Sequence, residues 1–357
     1  MFRKEPNQKE PFMESRSLAG RKYLDIEEKY RPLPPLGPMD VLLKVHACGV
    51  CGTDLNILRD LEGEYQSMGH EIAGEILELG SHCPSHLTKG MRVIVEDCTM
   101  CGYCNACKSG HPEFCRNMYD LQGMPGMGEY LIARFSALHP FPETLSYPHA
   151  ALTEPLAVAY NACSQAGIKE GESVLVLGTG SIGLLTGNVA KIFGASYCAI
   201  ACRKVENPMQ KARAALAEKL GLTLIETAKN DLEETIRSRF PKGVDHVIVT
   251  TPPKTIADAL PCVKYGGKIT FLGLSFAPGE NLVSYDVNYA LFNKITLAPS
   301  FAEPALNFPA ALSLICEGKV PAELYRTHTL NFSNYKEMFG KMLKGEIPVI
   351  KGVFLPE

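Results

Sequence analysis

Cys101, Cys104, Cys107 and Cys115 form C-x2-C-x2-C-x7-C. That spacing gathers four thiolates into one short loop, the donor set that tetrahedral zinc with sulfur ligands requires. Four protein ligands leave no open position, so a zinc held there is structural. Cys98, three residues upstream, can replace one of the four in an alternative register. Cys51 in CGVCGTD, His70 and Glu71 in GHE, and Glu154 in TEPLA are further candidates that gain meaning together rather than singly. VLVLGTGSIG, from Val174, places G-x-G-x-x-G at Gly178, Gly180 and Gly183, with Ser181 and Ile182 inside it. After an apolar strand and before a helix, this pattern fits a dinucleotide: a tight turn, a close approach to pyrophosphate, and a helix N-terminus facing the phosphates.

Two kinds of element must position these groups. Val41 to Val45, Gly69 to Gly80 and Met91 to Glu96 read as short strands, whereas Cys98 to Cys115 is too rich in Cys, Gly and Asn for a regular element. The first 30 residues are polar and read as irregular. Beyond Pro155 the rhythm changes to alternating strand and helix: Leu156–Gln165 helix, Ser173–Leu177 strand, Ser181–Phe193 helix, Tyr197–Ala201 strand, and a helix opened by Asn207 and Pro208. Val244–Val249 and Lys268–Leu272 continue the strands, as expected of a parallel doubly wound sheet. Helix-like Pro309 to Glu317 and the run Pro348 to Leu355 close the chain.

Composition narrows the classes. The chain has 357 residues, 46% hydrophobic and 21% charged, long enough for two domains with their own cores. With 36 basic and 39 acidic residues it has no general field for nucleic acid, and no apolar run long enough to span a membrane. The charged start MFRKEPNQKEPF is unlike a secretory signal, so a cytoplasmic location is expected, where thirteen cysteines indicate metal or redox chemistry rather than disulfides.

In order and spacing, Cys51 in CGVCGTD, His70-Glu71 in GHE, the four-cysteine loop and Gly178 to Gly183 resemble the zinc-dependent medium-chain dehydrogenase/reductases of the alcohol dehydrogenase superfamily. Glu154 in the EPLA position is similar to the sorbitol, threonine and glucose dehydrogenase branch. The resemblance implies a GroES-like irregular β-barrel catalytic domain over residues 1–158, a Rossmann doubly wound parallel sheet over 159–301, and a return to the catalytic domain over 302–357. It implies Cys51 and His70 as ligands of a catalytic zinc, with Glu71 and Glu154 competing for the remaining protein position. Thr53 would contact the substrate oxygen and start proton removal, and Asp54 would orient His70. Many relatives carry a His two residues after that Asp; this chain has Asn56, whose amide does not accept a proton at neutral pH.

An NAD site normally presents an acid to the ribose at the end of the next strand, but here Cys202, Arg203 and Lys204 stand there. Two cations favour the additional 2'-phosphate of NADP, although Glu206 could turn onto the ribose. This ACRK segment also resembles NADP-using glucose dehydrogenases of the family. By the same resemblance Leu272, Gly273, Leu274 and Ser300 pass the nicotinamide. The expectation is a zinc-dependent oxidoreductase with two zinc ions per chain. It would transfer hydride between NAD(P), preferably NADP, and a secondary alcohol or ketone of a sugar or polyol. A homo-oligomer, dimer or tetramer, is expected from the family. A simple alcohol or amino-alcohol dehydrogenase is the alternative within the class, and a noncatalytic zinc-binding module the alternative outside it.

Overall fold

The structure, a computed structural model, describes residues 14–121, 123–275 and 277–356. Two sheets carry the candidate sites. One is a seven-stranded, mostly antiparallel sheet in the spatial order Leu138–Pro140, Arg92–Val95, Glu71–Leu79, Asp40–Gly49, Lys351–Phe354, Arg326–Leu330, with Tyr130–Arg134 also paired to Asp40–Gly49. Its central strand shows the period of two: Val41, Leu43, Val45 and Ala47 are buried while the residues between them are partly exposed. Two of its strands, Arg326–Leu330 and Lys351–Phe354, are supplied only after the chain has completed the other sheet.

That other sheet is six-stranded and parallel, in the order Thr223–Glu226, Tyr197–Cys202, Ser173–Leu177, Val244–Val249, Val263–Phe271, Thr296–Pro299. In chain order this is 3-2-1-4-5-6, which reverses direction beside Ser173–Leu177 and so opens a crevice at that strand's C-terminal end. Every residue of Ser173–Leu177 is buried, as helices on both faces of a parallel sheet require. The expected helix at Asn207 forms as Pro208–Lys219, with Asn207 and Gln210 closing a capping box.

The N-terminal reading is corrected. Glu14–Arg21 and Asp25–Pro32 form an antiparallel hairpin where polarity had indicated irregular chain. Its turn runs through Tyr23 at φ 70° and Leu24 at φ 56°. Hairpin turns with positive φ ordinarily advertise themselves by Asn or Gly, and neither is present here. Between Cys98 and Cys115 the regular elements are minimal, a two-residue strand at Cys98–Thr99, one helical turn at Asn105–Lys108 and a 3-10 turn at Pro112–Phe114. Among the described residues no helix is long and apolar enough to cross a membrane.

Candidate active site

The four-cysteine loop folds its sulfurs together. Sγ separations are 3.9 Å for Cys101–Cys107, 3.5 Å for Cys104–Cys107, 3.9 Å for Cys104–Cys115 and 3.6 Å for Cys115–Cys101. Four sulfurs at about 2.3 Å from a tetrahedral zinc lie about 3.8 Å from one another, so the donor set fits the ion. The amides of Cys104 and Cys101 donate to Cys101 Sγ and Cys115 Sγ at 3.3 and 3.4 Å. Although desolvation opposes it, the amides of Tyr103 and Cys104 bring the Cys101 thiol down to about 7, while desolvation and its sulfur neighbours push Cys107 up to about 12. Cys98 stays out of this set, buried with Sγ 3.5 Å from Met118 Sδ.

A second cluster forms from residues far apart in sequence. One ligand atom each from Cys51, His70 and Glu71 lie within 4.8 Å of one another. Cys51 is the N-cap of the helix Gly52–Asp60, which follows directly from the central strand, and His70-Glu71 opens the neighbouring strand. Asp54 ties the two segments together, accepting from Cys51 N at 2.8 Å and Gly69 N at 2.9 Å. It thus fixes the peptides that carry Cys51 and His70, and its charge lies near the imidazole. Thr53 Oγ1 is 3.6 Å from Cys51 Sγ. Asn56 points its carbonyl oxygen at Arg59 Nη2, 2.7 Å away.

Electrostatics mark the cluster as a cation site. Burial alone would lower the His70 pKa, yet Cys51, with which it bonds, followed by Glu154 and Asp54, carries it well above the usual imidazole value. Glu154, in the first turn of the helix Thr153–Ala166, is 7% exposed and accepts no hydrogen bond among the described residues. Burial, then the charges of Asp97 and Glu71, push its pKa far up. A buried carboxyl in that position is relieved by a positive ion. Glu71 differs: both of its oxygens accept from Lys351, a buried residue that sequence reading did not single out.

The glycine loop has the geometry its pattern predicts. Gly178 sits at φ 112°, and a Cβ on Gly183 would lie 1.9 Å from the Gly178 carbonyl oxygen. Around Gly180 a Cβ would meet nothing within 4 Å, which leaves the turn open above Ser181 and Ile182 in the first helical turn. At the end of the next strand Cys202 is half-buried, and Lys204 pairs with Glu206 at 2.5 Å. Arg203 is exposed; its carbonyl accepts from Ala228 N at 2.8 Å, while its guanidinium has no hydrogen bond or ion pair among the described residues. Arg213, on the following helix, was missed by sequence reading: its Nε is buried without a partner, and desolvation lowers its pKa. Leu272 and Gly273 follow the fifth strand of this sheet, where a Cβ on Gly273 would strike Thr251 O at 1.8 Å; Leu274 is exposed. Ser300 is buried, and its hydroxyl accepts from Asn161 Nδ2 at 2.9 Å, linking this loop to the helix that bears Glu154.

Residues 37–143 match the alcohol dehydrogenase GroES-like domain, and residues 181–317 match the zinc-binding dehydrogenase domain. A sorbitol dehydrogenase of Halalkalibacterium halodurans is 30% identical over 92% of this chain and 94% of its own length. An L-idonate 5-dehydrogenase of Vitis vinifera is 30% identical over 92% of this chain and 91% of its own. Among solved structures, 2R,3R-butanediol dehydrogenase of Bacillus subtilis superposes with a TM-score of 0.83 at 26% identity, covering 96% of this chain and 100% of that one. A zinc-binding dehydrogenase of Sinorhizobium meliloti, bound to NADP, gives 0.82 at 26% identity, covering 96% and 100%.

Proposed function

We infer, for a chain that belongs to the zinc-dependent medium-chain dehydrogenase family, that hydride passes between NAD(P) and a secondary alcohol or ketone of a sugar or polyol. The observation that carries this is the convergence of Cys51, His70 and Glu71 within 4.8 Å, with the buried carboxyl of Glu154 acting on them electrostatically. Cys51, His70 and one of the two carboxylates would hold a catalytic zinc, and the four-cysteine loop a structural one, two per chain. The catalytic ion supplies Lewis acidity to the substrate oxygen. Thr53 Oγ1, beside Cys51, would accept a hydrogen bond from the substrate hydroxyl and pass its own proton onward as it takes the substrate's. Asn56 cannot receive that proton, and its carbonyl is already engaged by Arg59, so the relay would end either at the cofactor ribose and water or at another base. Residues 1–158 with 302–357 form the catalytic unit, and 159–301 the cofactor unit.

NADP is the preferred cofactor. The Arg203 guanidinium is unpaired at the strand end where an acid would repel a 2'-phosphate, and Arg213, whose Nε is buried without a partner, stands on the next helix. Charge-assisted hydrogen bonds contribute about 1.5–3 kcal/mol each, so Arg203→Ala lowers the ratio of NADP to NAD efficiency about tenfold or more. Steady-state kinetics with both cofactors checks this, and an unchanged ratio refutes the preference.

The protein is a homo-oligomer. The edge strand Thr296–Pro299 leaves one side of the parallel sheet unpaired, and Leu282, Val287, Leu291 and Phe292 before it are 63–74% exposed. Sedimentation equilibrium should give at least a dimer, and Leu291→Glu with Phe292→Glu a monomer; a wild-type monomer removes the assignment.

The substrate is read by following reduced-nicotinamide absorbance with sugars, polyols, simple alcohols and threonine. Turnover confined to threonine or simple alcohols would replace the polyol reading, and turnover with none in either direction would remove it.

A further inference from the structure

We propose that Asn161 is a positioning residue whose amide clamps together the two stretches of chain that pass between the sheets, and so sets the spacing between the Cys51–His70–Glu71 cluster and the carboxyl edge of the parallel sheet. This deepens the dehydrogenase reading and rests on it.

The chain leaves the seven-stranded sheet after Leu138–Pro140 and reaches the parallel sheet at Ser173–Leu177 by way of the helix Thr153–Ala166. It returns from Thr296–Pro299 through residues 300–307 to the helix Phe308–Cys316, and then to the strand Arg326–Leu330. Asn161 stands on the first passage, and its side chain bonds to the second. Its Nδ2 donates to Ser300 Oγ at 2.9 Å and to Phe301 O at 3.3 Å, while its Oδ1 accepts from Asn307 Nδ2 at 3.0 Å. An amide has two N–H donors. Both are used where the return begins, and the oxygen is used where it ends, at the N-cap of Phe308–Cys316. Asn is a poor residue for a helix interior on local grounds, because its side chain competes for the backbone. Here it sits among the buried apolar residues Ala157, Ala159 and Ala162, and its polar group is spent on the other passage.

Both ends of the clamp lead to the site. Glu154 lies seven residues before Asn161 on the same helix, just under two turns, which puts the two on one side of it about 10 Å apart. Ser300 follows the last strand of the parallel sheet, and its N–H donates to Phe271 O at 2.8 Å. It therefore stands at the carboxyl ends of two strands, the edge at which a doubly wound sheet takes its ligand. Between these points Ala305 N donates to Cys98 O at 2.8 Å, tying the return passage to the start of the four-cysteine segment. Two unlinked passages form a hinge, and a link at both ends makes them move as one. The spacing matters because a misplacement of about 1 Å set far from the chemistry can cost about a hundredfold.

Full-length protein loaded with cobalt(II) is titrated with NADPH; nucleotide fluorescence reports binding, and chelator competition reports cobalt release. In wild type, saturating NADPH should shift the visible bands and slow release of the more labile cobalt at least about fivefold. Asn161→Leu keeps the shape and removes the amide. NADPH affinity and nucleotide-free release should each stay within about threefold, while the NADPH effect on release falls below about twofold and the band shift is lost. Asn161→Asp keeps the acceptor for Asn307 and gives up the donor to Phe301 O, so its coupling should fall between the two; it decides alone should Asn161→Leu not fold. Ser164→Ala, exposed on the same helix, keeps the wild-type coupling. Full coupling in either Asn161 variant overturns the proposal. So does a loss of coupling that comes with a tenfold change in either separate property, because the residue would then be structural only. Wild-type protein that takes up NADPH and two cobalt ions without coupling them overturns it as well. A wild type that binds no NADPH, or only one cobalt, removes the dehydrogenase reading itself, a separate failure.

Discussion

If the chain holds the two zinc ions proposed, Cys51→Ala should leave one and lower kcat/KM by at least about 10³-fold, with dinucleotide binding retained. A metal that polarises a carbonyl or stabilises an alkoxide is worth several kcal/mol at the transition state, and each 1.36 kcal/mol is tenfold in rate. Of the proposed ligands Cys51 is the one whose loss should do most, because it would supply the thiolate and is the N-cap of the helix carrying Thr53 and Asp54. His70 also depends on it: burial disfavours the charged imidazole, and Cys51 is the strongest group opposing that. The proposed cofactor turn, Gly178–Gly183, belongs to the other sheet, so fluorescence of bound reduced nucleotide should survive the change. Metal analysis with steady-state kinetics reads the outcome. A variant with one zinc and undiminished turnover would remove Cys51 from the chemistry, and a variant with two would place the second ion at other ligands.

Legibility in the sequence follows the distance between partners. The four-cysteine loop and the glycine turn were readable because their donors lie within fifteen residues of chain, where spacing nearly dictates geometry. The parallel sheet was readable from apolar runs such as Ser173–Leu177, buried on both faces. Lys351 was not, since a lysine in an apolar C-terminal run carries no sign of a carboxylate 280 residues earlier, and only strand register puts them together. Arg213 was hidden for a related reason: at helical spacing it is one more surface cation, and its distinguishing property is a buried Nε with no partner. The N-terminal hairpin escaped because its turn uses Tyr23 and Leu24 at positive φ, residues that turn rules assign elsewhere.

Cys104→Ser removes the second zinc and unfolds residues 98–117 locally, while the six-stranded sheet keeps its protection. This segment cannot stabilise itself by burial. Tyr103 and Phe114 are 60% and 68% exposed, and its regular structure amounts to single turns and a two-residue strand. Cross-linking by the ion must supply what an apolar core supplies elsewhere, as in small domains that fold only with metal. Protease cleavage after Arg116 or Lys108 should rise at least tenfold, and hydrogen exchange should accelerate there alone. The same result is expected on lowering pH in wild type with a chelator present. Against desolvation, the amides of Tyr103 and Cys104 hold the metal-free Cys101 thiol down at about 7, and a protonated thiol does not bind zinc, so affinity falls as the pH drops through that value. The catalytic site should feel the loss, because Cys98 O accepts from Ala305 N at 2.8 Å and Asp97 lies close enough to act on Glu154. KM for the alcohol should therefore rise in Cys104→Ser while cofactor affinity holds. Lost zinc with unchanged exchange in this loop would mean that the four thiolates assemble without needing the ion.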